Sequence, residues 1–111
     1  MGHYTYIVTN PKKTTLYTGV TYDVRKRIIE HYLNRGESNT FAGKYHCYCL
    51  IWYEAFPTMR EAIEAEKRIK GRSRKWKEAL INEENPGWNC LNKVVLGEWP
   101  PKHTLPDRKS S

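Results

Sequence analysis

Residues 4–9, Tyr-Thr-Tyr-Ile-Val-Thr, and residues 16–20, Leu-Tyr-Thr-Gly-Val, are two short aromatic and β-branched runs separated by Asn-Pro-Lys-Lys-Thr-Thr. Side chains of this kind favour extended backbone, Asn10 and Pro11 break the first run, and the lysines keep the connection in water. The two runs are close enough in sequence to form an antiparallel hairpin, and the rest of the chain has to be built onto it.

Asp23 is an N-cap for a helix from about Val24 to Leu33, which Gly36 can stop. Residues 35–45 read as a polar loop. His46 to Phe56 reads as a third strand, apolar on both faces and therefore central or well covered. Thr58 and Glu61 stand at capping-box spacing at the start of a helix with no breaker before Gly71. Ser73 caps another, running to about Glu84 and carrying Trp76 and Leu80 on one side. The expected order is β-β-α-β-α-α: an α/β fold with a small three-stranded antiparallel sheet flanked by helices. One domain spans 1–92, and the proline-rich residues 93–111 read as a loosely ordered tail.

A length of 111 residues suits a single domain with a modest core, to which eight Tyr, four Trp and two Phe contribute heavily. The formal charge of +7 favours an anionic partner, nucleic acid first and an anionic membrane surface second. No window approaches the ~20 apolar residues of a membrane span, and residues 1–10 lack the pattern of a signal peptide. Three cysteines, an odd number, point to a reducing cytoplasmic setting rather than to a disulfide framework. Cys47 and Cys49, with His46 beside them and Cys90 far downstream, lack the paired spacing of common zinc modules and read as inert buried thiols.

Some polar residues interrupt the apolar patterns. In the first helix Arg27 and His31 lie at i and i+4 along one border of the stripe Val24, Ile28, Tyr32. They could be a surface pair covering the core edge, or a shielded cationic site able to hold a phosphate through a bidentate guanidinium contact. In the next helix Glu66 falls within the stripe Met59, Ala62, Ile63, Ile69. A carboxylate there must be paired, protonated or bound to a metal, because burying an isolated charge costs several kcal/mol. Lys70, one turn on, could pair with it; so could a divalent metal such as Mg²⁺, which takes its other oxygens from water and phosphate. Tyr4 and Tyr6 share one strand face, with Tyr17 and Gly19 on the partner strand; simple aromatic packing accounts for these as well.

Taken together, Tyr-Thr-Tyr-Ile-Val-Thr-Asn (4–10) and Leu-Tyr-Thr-Gly-Val-Thr-Tyr-Asp-Val-Arg-Lys-Arg-Ile-Ile-Glu-His (16–31) resemble the two halves of the GIY-YIG nuclease signature. The resemblance is to the small single-domain GIY-YIG proteins allied to excision-repair endonuclease domains. It runs from about residue 3 to 92 and includes Ala-Glu-Lys-Arg-Ile-Lys (65–70) and Asn-Pro-Gly-Trp (85–88). Tyr4-Thr5-Tyr6 stands where the family has Gly-Ile-Tyr, and Tyr17-Thr18-Gly19 where it has Tyr-Ile-Gly. The resemblance implies Tyr6, Tyr17, Arg27, His31 and Glu66 as catalytic residues, with Glu66 as the metal ligand. A further asparagine is implied near the domain end, Asn85 being preferred to Asn89.

On that basis the expected activity is metal-dependent endonucleolytic hydrolysis of DNA, of low sequence specificity, with a role in repair or processing; RNA is left open and a monomer is assumed. One Mg²⁺ or Mn²⁺ on Glu66 would polarise the phosphate, Arg27 would neutralise developing charge, and Tyr6 would act as general base once a neighbouring cation lowered its pKa. Tyr17 would position water or phosphate. Gly19, Lys44, Lys70, Arg72, Arg74, Lys75 and Asn85 would contact nucleic acid. Two other classes compete: a non-catalytic nucleic-acid-binding module on the same fold, and a small scaffold using Trp99 and the proline-rich tail.

Overall fold

The structure, a computed structural model, describes residues 2–101. The hairpin forms as expected from β1 (His3–Thr9) and β2 (Leu16–Thr21), and β3 (Cys49–Phe56) adds to the other side of β1. All pairings are antiparallel and the strand order is β2-β1-β3. Asn10 builds the hairpin connection, its side-chain carbonyl accepting from the Thr14 and Thr15 amides at 2.8 and 2.9 Å.

Between β2 and β3 lie α1 (Val24–Leu33) and the short α2 (Phe41–Lys44); after β3 come α3 (Met59–Lys70), α4 (Arg74–Glu84) and α5 (Asn92–Leu96). The expected caps are present. Asp23 accepts from the Lys26 amide, Thr58 from that of Glu61 and Ser73 from that of Trp76, each satisfying an otherwise orphaned first-turn donor. Alternate residues of β1 split the core in two. Tyr6 and Val8 join Val24, Ile28 and Leu50 on the α1 side, while Ile7 joins Trp52, Ile69 and Ile81 on the side of α3 and α4.

Of the two expected placements, central or well covered, the third strand takes the second: β1 is central, and Leu50, Ile51 and Trp52 are buried on an edge strand. It differs from expectation in beginning at Cys49 rather than His46. His46 has a left-handed φ of 58°, its amide donates to Gly43 C=O and that of Cys47 to Ala42 C=O of α2, so residues 46 and 47 are used in closing that turn. A bulge at Ile51 brings Ile51 and Trp52 into the same cluster, which explains why the strand reads as apolar on both faces.

The outer edge of β3 is covered by side chains. Asn85 donates to Ile51 C=O at 3.0 Å, Leu91 N–H donates to Leu50 C=O at 2.8 Å, and Asn92 takes Leu50 N–H and gives to Tyr48 C=O, both at 2.9 Å. This satisfies groups that an open edge would leave bare. The chain beyond 92 is therefore ordered further than the expected tail allows. Leu91, Val95, Leu96 and Trp99 pack against the α1-side core, and Trp99 meets the Tyr32 ring at 4.8 Å. Of the expected tail, residues 102–111 lie outside the described residues.

Candidate active site

Tyr6 lies opposite Gly19 in the β1–β2 register, its ring on the α1 side of the sheet. Only 2% of it is exposed, and its phenol oxygen lies 2.8 Å from His31 Nε2 on α1. Gly19 makes this placement sterically available: a Cβ there would come within 2.6 Å of the Tyr6 hydroxyl and 2.8 Å of Cζ. The glycine thus admits the tyrosine, a local reason for a residue that the sequence suggested as a point of substrate approach. Tyr17, two residues before it, completes a three-ring cluster, with centroids 6.5 Å from Tyr6 and 5.7 Å from His31.

Burial acts strongly on this cluster. It pushes the Tyr6 phenol well above its ordinary pKa, more than the nearby Arg27 guanidinium lowers it. Burial, and then Arg27, lower His31 from 6.5 to about 4. At neutral pH His31 is a neutral ring and Tyr6 a protonated phenol, so the phenol donates and Nε2 accepts. Field from the cation alone therefore does not make Tyr6 a base here, contrary to the expectation from sequence.

Arg27 flanks the cluster and is partly open to solvent, with 40% of its side chain exposed. Its Nε is 3.2 Å from Glu30 Oε1, close enough for an ion pair, yet out of line for a hydrogen bond, and Nε makes none. The same guanidinium lines a cleft of about 620 Å³ formed by Val20 and Thr21 of β2, Lys26 and Glu30 of α1, and Met59 and Ile63 of α3. Glu66 approaches from α3 around the edge of β2. It lies beside the buried Ala62, Ala65 and Ile69, its side chain 17% exposed and its Oε2 2.9 Å from Lys70 Nζ. Lys70 Nζ also stands 5.7 Å from the centre of the Tyr17 ring. A cation therefore already bridges Glu66 and the tyrosine cluster.

Among the described residues no three His, Cys, Asp or Glu side chains gather as a metal site. What Glu66 offers is one shielded carboxylate oxygen set on an ammonium. That suits Mg²⁺ or Mn²⁺, which keep waters and take phosphate oxygens, and does not suit a metal needing a full protein cage.

The other residues expected at the site are dispersed. Asn85 is bound to Ile51, and also donates to Asn89 C=O at 2.9 Å, at the far edge of the sheet. Arg74 ties α4 to the hairpin turn through Thr14 and Lys13 carbonyls at 2.8 and 3.3 Å and pairs with Glu78. Arg72 lies over Trp76 and Lys44 over Tyr45, while Lys75 is exposed. Phe41, half exposed and stacked on Tyr17 with centroids 6.2 Å apart, is a site neighbour that sequence reading passed over; it sat in what looked like a polar loop. Tyr4, in place of the family glycine, packs edge-on against Tyr53 of β3 and leaves the Tyr6–His31 contact clear.

A buried tyrosine on the central strand, a second tyrosine on the edge strand, an arginine and histidine on the first helix and a glutamate on the next define a class of small α/β domain. The chain belongs to the GIY-YIG family: the model of the GIY-YIG catalytic domain matches residues 2–79. Among similar proteins, a UPF0213 protein of Staphylococcus saprophyticus is 41% identical over 73% of this chain and 95% of its own length. One from Haloquadratum walsbyi is 37% identical over 73% of this chain and 88% of its own. The solution NMR structure of a UPF0213 protein from Bacillus halodurans superposes with a TM-score of 0.52 at 32% identity, covering 85% of this chain and 97% of that one. Among the described residues no helix is long and apolar enough to cross a membrane.

Proposed function

We propose that the protein is a metal-dependent endonuclease that hydrolyses phosphodiester bonds in DNA with low sequence preference, serving repair or processing. The observation that carries the reading is the 2.8 Å Tyr6–His31 contact beside Arg27, made by residues far apart in sequence. Neutral His31 is an acceptor for the phenolic proton. As Tyr6 gives that proton to Nε2, its oxygen can take one from an attacking water, so the pair acts as a relay in which Tyr6 touches water and His31 holds the proton. Arg27, ion-paired to Glu30 at Nε and lining the cleft, neutralises charge gathering on the phosphate. Tyr17 orients water or phosphate at the cluster's open side. A Mg²⁺ or Mn²⁺ ion on Glu66 would supply Lewis-acid polarisation and stabilise the leaving oxygen. Lys70 must then release the carboxylate and can turn to the backbone. The net charge of +7 supports an anionic polymer as substrate.

The test is nicking of supercoiled plasmid, branched DNA and single-stranded DNA with Mg²⁺ or Mn²⁺. Wild type should cleave. Glu66→Ala, Arg27→Ala and Tyr6→Phe should each lose on the order of 100-fold or more in rate, while DNA affinity stays within a few-fold. Binding without metal-dependent cleavage of any of these substrates would sink the enzyme reading and leave a non-catalytic module. The pairing of Glu66 with Lys70 is the observation that favours this second reading.

A further inference from the structure

The covered edge of β3 holds two thiols that neither the tyrosine cluster nor the core employs. Leu91 N–H donates to Leu50 C=O at 2.8 Å, and the Asn92 side chain spans Leu50 N–H and Tyr48 C=O at 2.9 Å each. Cys49 stands between the two positions that Asn92 bridges, and Cys90 immediately precedes the segment making these bonds. The three bonds thus hold the two cysteines side by side. The Cys90 sulfur faces the Cys49 thiol and the amides of Asn92 and Leu50, with Lys13 as a neighbouring ammonium. Cys90 is exposed and Cys49 half-buried. Cys47 is buried, its thiol directed at the Thr15 and Tyr45 carbonyls at 3.7 and 3.9 Å. The sequence reading of three inert buried thiols therefore applies to Cys47 alone.

We propose that Cys49 and Cys90 form a redox-reactive dithiol, oxidised by a peroxide to an intramolecular disulfide with Cys90 as the attacking thiol and Cys49 as the resolving one. Thiolate is the nucleophile in such chemistry, and the Cys49 donor, the two amides and Lys13 all favour it at Cys90, against the opposing effect of burial. Cys49 is pushed the other way, first by that same contact and then by burial, and keeps its proton. In the first step the Cys90 sulfur bonds to one peroxide oxygen, the O–O bond breaks, and the other oxygen leaves as water once protonated; Cys90 is then a sulfenic acid. In the second, Cys49 attacks that sulfur, the S–S bond forms, the S–O bond breaks, and the oxygen departs as a second water. Two thiols lose two electrons and two protons, and one peroxide becomes two waters.

The disulfide would close a loop of about 40 residues and staple the Leu91–Trp99 segment, which packs against the same core as Tyr6 and Ile28, onto β3. The proposal is independent of whether the protein cleaves DNA. The experiment takes the reduced full chain, adds hydrogen peroxide at low excess, and follows maleimide-reactive thiols, peptide masses and Tm. Thiols titrated by maleimide after denaturation should fall from three to one, and a Cys49–Cys90 cross-linked peptide should appear. Tm should rise by about 10 °C, and dithiothreitol should reverse the change. Cys47→Ser should behave as wild type, whereas Cys49→Ser and Cys90→Ser should lose both the cross-link and the Tm rise. In unmodified protein near neutral pH, maleimide should label Cys90 before the other two. A disulfide dimer through Cys90, a link involving Cys47, oxidation that ends at sulfinic acid without a cross-link, or labelling with no preference for Cys90 would overturn the assignment.

Discussion

His31 links the stability of the fold to the state of its site, and the link has a definite sign. Burial and Arg27 hold its ring at about 4 in the folded protein, against 6.5 in the unfolded chain. Between these values the unfolded state binds the extra proton, so stability is fully present above about pH 6.5 and is lost as pH falls toward 4. From these values, lowering the pH from roughly 7.5 to 5 costs about 2 kcal/mol, and below pH 4 the loss levels off near 3 kcal/mol. Protonation also removes the acceptor that the Tyr6 hydroxyl uses in the resting fold, His31 Nε2 at 2.8 Å. The assay is urea unfolding of wild type and His31→Gln at both pH values. Carboxylates titrating over the same range contribute to both proteins and cancel in the difference. Wild type should lose about 2 kcal/mol more than the variant between the two conditions, and the His31 ring resonance should show no titration above about pH 5. Equal losses in the two proteins, or a His31 resonance titrating near 6.5, would refute the buried neutral ring and the proton relay built on it.

Gly19→Ala should destabilise by about 1–3 kcal/mol in denaturant unfolding and depress any nicking far more, because its Cβ displaces the buried Tyr6 hydroxyl; unchanged stability would show that the ring can yield. Asn92→Ala should cost about 2–3 kcal/mol by thermal melting, since it strips partners from Leu50 N–H and Tyr48 C=O at a fully buried site, whereas Asn92→Asp should restore only the bond to Leu50 N–H. Lys70→Met should lower the Mn²⁺ concentration giving half-maximal cleavage by several-fold if the ammonium competes for Glu66, and loss of cleavage at every metal concentration would instead place Lys70 in the machinery.

The elements legible in the sequence were those with local causes. Asp23, Thr58 and Ser73 each satisfy an amide a few residues away, so the starts of α1, α3 and α4 could be read from neighbours alone. The start of β3 could not, because His46 takes a left-handed conformation that nothing in His-Cys-Tyr-Cys announces. Nor could α5, whose five residues are held against the core by packing rather than by a side-chain cap. The site divides the same way. Arg27 and His31 were identifiable as neighbours by helical spacing and Glu66 by its place near an apolar stripe, but the Tyr6–His31 contact depends on tertiary packing across the chain. Asn85 was named only through the family resemblance, as an asparagine near the domain end, whereas the structure commits its amide to Ile51; fully buried Asn92 gave no sign of its part, because its partners are backbone groups more than 40 residues away.

The two edges of this sheet are treated differently, and the difference bears on where a substrate can lie. A three-stranded sheet has two edge strands, each with backbone groups that need partners. At the start of β3 those groups, on Leu50 and Ile51, are taken up by Asn85, Leu91 and Asn92, so that part of the edge has little left to offer an extended polymer. At β2, Val20 and Thr21 instead face the cleft between α1 and α3, with Arg27 on one wall and Met59 and Ile63 on the other. The tyrosine cluster lies behind that strand, and the Glu66–Lys70 pair reaches around it to the face of Tyr17. A phosphodiester running along β2 would therefore meet the Arg27 guanidinium before the buried rings. Arg27→Lys tests that order of contact: it keeps the charge but loses the planar fork. Binding should survive it nearly unchanged, because a long-range field needs only charge, while cleavage should fall by tenfold or more, because a bidentate grip on the reacting phosphate needs the guanidinium. Equal loss of binding and cleavage would mean that Arg27 serves only to attract the polymer.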